Sequence, residues 1–154
     1  MIDFQRILVA TDFSAHSRQA LTYGSALAQS FGCELLLLHV GESPDFLSQL
    51  PPAGEGYFPP NYLEQQRRQA QELGERWLAE ANVARSRFLI ADGHPSAAIV
   101  QTAREQHADM IVVGTHGRGP VAHVLLGSVA EHVVRTAPCP VLTVRAGEHE
   151  FVMP

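Results

Sequence analysis

Short apolar runs alternate with amphipathic stretches along almost the whole chain, and no other feature restricts its fold so tightly. Arg6–Thr11 reads Arg-Ile-Leu-Val-Ala-Thr. The run is apolar on both of its faces, as strands buried inside a parallel sheet are. It ends at Asp12-Phe13-Ser14, where Ser14 can cap a helix. Ala20, Gly24, Leu27 and Phe31 then recur on one helical face, and Gly32 stands where such a helix stops. Residues 34–40, Glu-Leu-Leu-Leu-Leu-His-Val, form a second run. Leucine favours helix, but this run is short and bounded by glycines, so it reads as a strand. Further helices are expected over 62–81 and from Pro95, a residue suited to a first helical position. Further strands are expected at 85–91, 109–114 and 141–144. Strands that alternate with helices predict an α/β fold, a parallel sheet with helices on both faces.

One stretch breaks the pattern. Residues 43–61 carry Pro44, Pro51, Pro52, Pro59 and Pro60 with Gly54 and Gly56, so regular structure is not expected there. A loop of that length is often mobile or functional. No internal repeat and no second domain is evident, and residues 1–154 read as a single domain.

Composition narrows the function. The net charge of −5 and the scattered arginines argue against a nucleic-acid partner, which needs clustered cations. No stretch approaches the roughly 20 apolar residues of a membrane span. Cys33 and Cys139 do not make a disulfide framework, and a cytoplasmic location is expected. All eleven basic residues are arginine. Without lysine, neither Schiff-base chemistry nor a lysine-bearing P-loop is available. A phosphate site in this chain must use backbone N–H groups, hydroxyls and arginine.

The sequence from Gly114 supplies such groups: Gly-Thr-His-Gly-Arg-Gly-Pro, then residues 121–126, then Gly127-Ser128-Val129-Ala130-Glu131. A strand end leads through a glycine-rich turn to a new helix. Gly114 and Gly117 are expected to adopt conformations closed to other residues and to let a ligand approach. Gly127 would do the same just before the helix. The first N–H groups of that helix and its dipole make an anion site. Ser128-x-x-Glu131 has the form of a capping box, which would start the helix at Ser128. Two readings stand together: a plain connection with a capped helix, or a phosphate site. In parallel sheets ligands bind beyond the C-terminal strand ends, and Asp12, Val40 and Gly114 each occupy one.

The spacing Gly114, two residues, Gly117, nine residues, Gly127-Ser128 resembles the nucleotide-binding motif of the universal stress protein family. Residues 7–14, 125–131 and 137–141 are similar to the family's opening and closing segments, so the resemblance spans essentially the whole chain. It implies a doubly wound five-stranded parallel sheet ordered 3-2-1-4-5, with ATP, or AMP or ADP, across the strand ends. On that resemblance Ala10, Thr11 and Asp12 line the site and Val40 holds the adenine through its backbone. Gly114 lies near the ribose, and His116 is a further candidate binding residue. Gly117, Gly127, Ser128 and Val129 contact the phosphates. Mg²⁺ or Mn²⁺ would arrive on the phosphates, with no protein metal site. Pro120 stands where many members have a glycine, which would stiffen the loop. The resemblance also implies a homodimer through Val141–Val144, an edge strand that needs a partner.

Other residues leave alternatives open. Asp12 fits ligand contact, general base or turn residue. Arg118 fits phosphate contact or a solvated loop position. His39 reads as a hydrogen-bonded interior histidine, and His116 and His123 flank the loop closely enough to meet. Cys139, between two prolines, reads as a buried inert thiol. The function expected is an adenine-nucleotide-binding regulatory module of stress response without significant catalysis, with room for an unidentified regulatory protein partner. The rivals are a slow ATP hydrolase or a phosphoryl or nucleotidyl transferase using the same loop, and an interaction module without nucleotide. A flavodoxin-type flavin protein would need its phosphate loop after the first strand, where Asp12-Phe13-Ser14-Ala15-His16 has no glycine.

Overall fold

Two of the five strands, β1 (Arg6–Thr11) and β2 (Glu34–Gly41), carry most of the fully buried side chains, and the other elements are arranged around them. The computed structural model describes residues 2–41, 43, 45, 60–116 and 126–145. Those residues also form β3 (Ser86–Asp92), β4 (Met110–Gly114) and β5 (Val141–Val144). Four helices intervene: α1 (Ala15–Phe31), α2 (Tyr62–Ala81), α3 (Pro95–Glu105) and α4 (Ser128–Thr136). The sheet runs β3-β2-β1-β4-β5 with every pair parallel, the doubly wound order expected.

The leucine run of β2 shows why it is a strand. Leu35 and Leu37 join Ile7 and Val9 on one face, under Ala20, Leu21 and Ala28 of α1 and Trp77 and Leu78 of α2. Leu36 and Leu38 join Leu8 on the other, under Ile99, Val100 and Ala103 of α3 and Ala130 and Val133 of α4. Each leucine therefore lies buried against a helix layer, at about 1.5–3 kcal/mol per side chain, which exceeds any helical propensity. Close layering requires small residues on the helices. A Cβ on Gly24 would collide with the Val9 side chain, and one on Gly74 with the Phe88 ring.

Local signals behave as expected at most ends. Ser14 caps α1 by accepting from the Ser17 N–H at 3.3 Å, and Gly32 closes it at φ 65°. Pro95 begins α3. β3 is displaced by one residue from the expected 85–91, because Gly93 N–H reaches the Gly41 carbonyl and extends pairing to Asp92. β4 starts at Met110 instead of Asp109, whose carboxylate accepts from the Gln5 and Arg6 N–H groups. Of the irregular stretch expected at 43–61, all but residues 43, 45, 60 and 61 lie outside the described residues. Cys33 is buried and Cys139 half-buried, and burial pushes both thiols above their usual range, so each stays protonated. Among the described residues no helix is long and apolar enough to cross a membrane.

Candidate functional site

The turn that leaves β1 is held in a conformation the backbone does not favour. Phe13 has φ 60°, uncommon for a bulky residue. Its ring lies 4.8 Å from the His39 ring and edge-on to Trp77 at 5.3 Å, so packing fixes what the backbone resists. The Thr11 hydroxyl accepts from the Phe13 N–H at 2.9 Å and shares a 2.9 Å bond with the Ser17 hydroxyl. Asp12 Oδ1 accepts from the Ser14 N–H at 2.9 Å, closing an Asx turn. His39 Nδ1 bonds the Thr11 carbonyl at 3.0 Å and is the interior histidine expected. Asp12 thus serves as a turn residue while its side chain borders the cavity above the sheet.

Between β4 and α4 a second turn closes. Thr115 N–H donates to the Val144 carbonyl at 2.9 Å, and the Thr115 carbonyl accepts from the Gly127 N–H at 2.6 Å. The N-cap of α4 is thus tied to the residue that follows β4. A Cβ on Gly127 would lie 2.9 Å from that carbonyl, and one on Gly114 would lie 3.2 Å from the His16 backbone. Neither glycine takes the unusual backbone conformation expected: among the described residues the positive-φ glycines are Gly32 and Gly93, and Gly127 has φ −68°. Close packing, not unusual backbone geometry, demands them.

The capping box is likewise corrected. Gly127 is the N-cap of α4, its carbonyl accepts from the Glu131 N–H, and Ser128 is the first helical residue. Glu131 turns outward to Arg135 at 3.3 Å. No side chain caps this helix in the described structure, so its first N–H groups keep their capacity for an anion.

These turns surround a cavity of about 620 Å³, within the range of small-molecule sites. Ala10, Thr11, Asp12, Val40, Gly114, His116, Gly127, Ser128 and Val129, all singled out from the sequence, line it together. Gly117, Arg118, Pro120 and His123 lie outside the described residues. The sequence reading missed Leu38, Pro95, Ile99, Thr115, Leu126 and Glu131. Pro95 and Ile99 could have been found, because every helix that follows a parallel strand starts at this edge. With Val40 and Leu38 they add apolar side chains to the wall of the cavity that the N-terminus of α4 also lines. The neighbour of His116 is His16, with ring centroids 5.9 Å apart and a 51° tilt. Among the described residues there is no cluster of three or more metal-ligating side chains.

The sequence model of the Universal stress protein family matches residues 3–145. A universal stress protein of Thermus aquaticus is 39% identical over 143 residues, covering 92% of this chain and 99% of its own. One of Bacillus subtilis is 33% identical, covering 92% and 99%. A universal stress protein solved in complex with cAMP is 25% identical with a TM-score of 0.68, covering 95% of this chain and all of its own (100%).

Proposed function

The chain belongs to the universal stress protein family, and from that premise we propose that its cavity is an adenine-nucleotide site serving a regulatory, stress-response module. The observation that carries this reading is the N-terminus of α4, which no side chain caps, whose Gly127 N–H is bonded to the Thr115 carbonyl, and which lines one cavity with the apolar Val40, Pro95 and Ile99. Phosphate suits the first, because helical N–H groups and the dipole bind anions without lysine. A purine suits the second, an apolar wall with backbone polar groups at the end of β2. The cAMP carried by the 25% identical relative supports the same ligand class here.

In this reading ATP, ADP or AMP is the ligand and Mg²⁺ or Mn²⁺ comes with its phosphates. Ser128 and Val129 contribute N–H groups to the phosphates, and Asp12 faces the sugar. Turnover is expected to be negligible, because the chain has no lysine to place on the phosphates. The protein acts in the cytoplasm as a homodimer through Val141–Val144, the strand at one sheet edge. Mass spectrometry of small molecules released from the purified, denatured protein tests the ligand class. An adenine nucleotide in stoichiometric amount is expected. A flavin or another non-adenine cofactor would refute it.

A further inference from the structure

Phe13 follows Asp12 directly, and its φ of 60° places a bulky residue in the left-handed region that glycine, asparagine and aspartate tolerate best. A turn of this kind persists only where its surroundings over-determine it. Here they are three rings from three elements: His39 of β2, Trp77 of α2 and Phe88 of β3, with centroids 4.8, 5.3 and 6.3 Å from that of Phe13. Trp77 is buried and carries the Arg18 guanidinium 4.1 Å from its ring centroid. His39 also holds the start of the turn, since its Nδ1 lies 3.0 Å from the Thr11 carbonyl. Asp12 stands between these two anchors, and its Oδ1 accepts from the Ser14 N–H at 2.9 Å. Asp12 borders the cavity; Phe13 stands outside the cavity wall.

We propose that Phe13 is a positioning residue of the nucleotide site: its ring, packed on His39, Trp77 and Phe88, holds the strained turn that presents Asp12 at the cavity, and through Asp12 it sets ligand affinity. This rests on the nucleotide reading above. Filling space does not require a positive φ, so a ring that served the core alone would be placed as well from an ordinary backbone. Strain that packing maintains beside a ligand site has another use: it fixes a contacting side chain before the ligand arrives, so that binding does not bear the cost of ordering it. Without the ring the turn relaxes toward commoner conformations, and Asp12 must be ordered when the ligand binds.

The test is a double-variant cycle on the full chain. Calorimetric titration with ATP and Mg²⁺ compares the wild type, Asp12→Ala, Phe13→Gly and the two combined, with circular dichroism and thermal unfolding of each. Glycine adopts a φ of 60° without strain, so Phe13→Gly keeps the turn allowed and removes only what holds it. Asp12→Ala should weaken binding about tenfold or more, the size of one charge-assisted hydrogen bond. Phe13→Gly should weaken it about three- to tenfold, the cost of ordering one side chain on binding. Once Asp12 is alanine, Phe13→Gly should change affinity by less than about twofold, because both act through one contact. Phe13→Leu refills the space without a flat ring, should lose part of the affinity, and carries the comparison if Phe13→Gly does not fold. Val83 belongs to the same core cluster but lies between α2 and β3, at the N-terminal ends of the strands. Val83→Ala should lower the unfolding midpoint and leave affinity unchanged. Wild-type affinity in folded Phe13 variants or in Asp12→Ala, a Phe13 effect equal with and without Asp12, or an equal loss in Val83→Ala overturns the proposal and leaves the nucleotide reading intact. Absence of wild-type binding to ATP, ADP, AMP and cAMP overturns the nucleotide reading as well.

Discussion

Replacing Gly127 by alanine should damage both the fold and the site, and the structure fixes the reason. The new Cβ would lie 2.9 Å from the Thr115 carbonyl oxygen, closer than real Cβ contacts come, and 3.7 Å from the His116 Cα. The carbonyl cannot move aside easily, because the same residue's N–H is bonded to Val144 at 2.9 Å. Relief therefore comes from lengthening the 2.6 Å Gly127–Thr115 bond and displacing the first turn of α4. Overpacking of this kind costs about 1–3 kcal/mol. In a domain of this size that lowers the unfolding midpoint by about 3–10 °C. The displaced N–H groups lose one charge-assisted bond to phosphate, about ten- to a hundredfold in nucleotide affinity. The contact with Thr115 makes the substitution act on both fold and ligand. Ser128→Ala is the matched control. Ser128 is exposed and is not the N-cap, so stability should change by less than about 0.5 kcal/mol. Calorimetric unfolding and ATP titration of both variants check this. A Gly127→Ala protein with wild-type midpoint and affinity would refute the reasoning.

Three further outcomes follow from other parts of the structure. Glu34 bonds Arg87 at 2.7 Å and Arg6 at 3.1 Å, and these partners, Arg87 foremost, hold its carboxyl below the usual value of 4.5. Its contribution is therefore complete above the unfolded pKa and lost as pH falls through the lowered folded one. Glu34→Gln should cost about 1–2 kcal/mol near neutrality, and denaturant unfolding should show that gap closing below about pH 4.5; a constant gap would contradict it. Gly74→Ala should destabilise by about 1–2 kcal/mol although alanine favours helix, because its Cβ meets the Phe88 ring, and a raised midpoint would contradict that packing. Light scattering at tens of micromolar should show a dimer that Thr143→Pro in β5 weakens; a wild-type monomer would remove the edge-strand interface.

Much of the fold was legible because each strand is a short run buried on both faces and bounded by turn residues. β1 and β5 have the expected ends, and even the leucine run of β2 was recognisable from its length and flanking glycines. What escaped depended on residues distant in sequence. Gly127, the N-cap of α4, is bonded to the Thr115 carbonyl twelve positions earlier, and the local Ser128–Glu131 pattern, which placed the helix start correctly, does not reveal that a glycine and not Ser128 is the cap. His16 and His116 meet only because β1 and β4 are neighbours in the sheet, which no local pattern reveals. Thr11 was chosen as a lining residue, yet its hydroxyl is absorbed by the turn at Phe13, whose positive φ follows from an aromatic cluster drawn from three elements. Pro95 was recognised as a helix start but not as part of the site, since its place in the same cavity wall as Val40 follows from the pairing of β3 with β2.

In the function proposed above, one cavity joins apolar side chains to a helix N-terminus and thereby holds an adenine nucleotide. Titration calorimetry of the wild-type chain with ATP and Mg²⁺, read beside the same titration with GTP, tests it most directly. Saturable binding of ATP near one equivalent per chain is predicted, weaker for GTP, and reduced at least tenfold by Gly127→Ala. Failure to bind ATP, ADP, AMP or cAMP would contradict the claim, as would ATP binding that Gly127→Ala leaves unchanged.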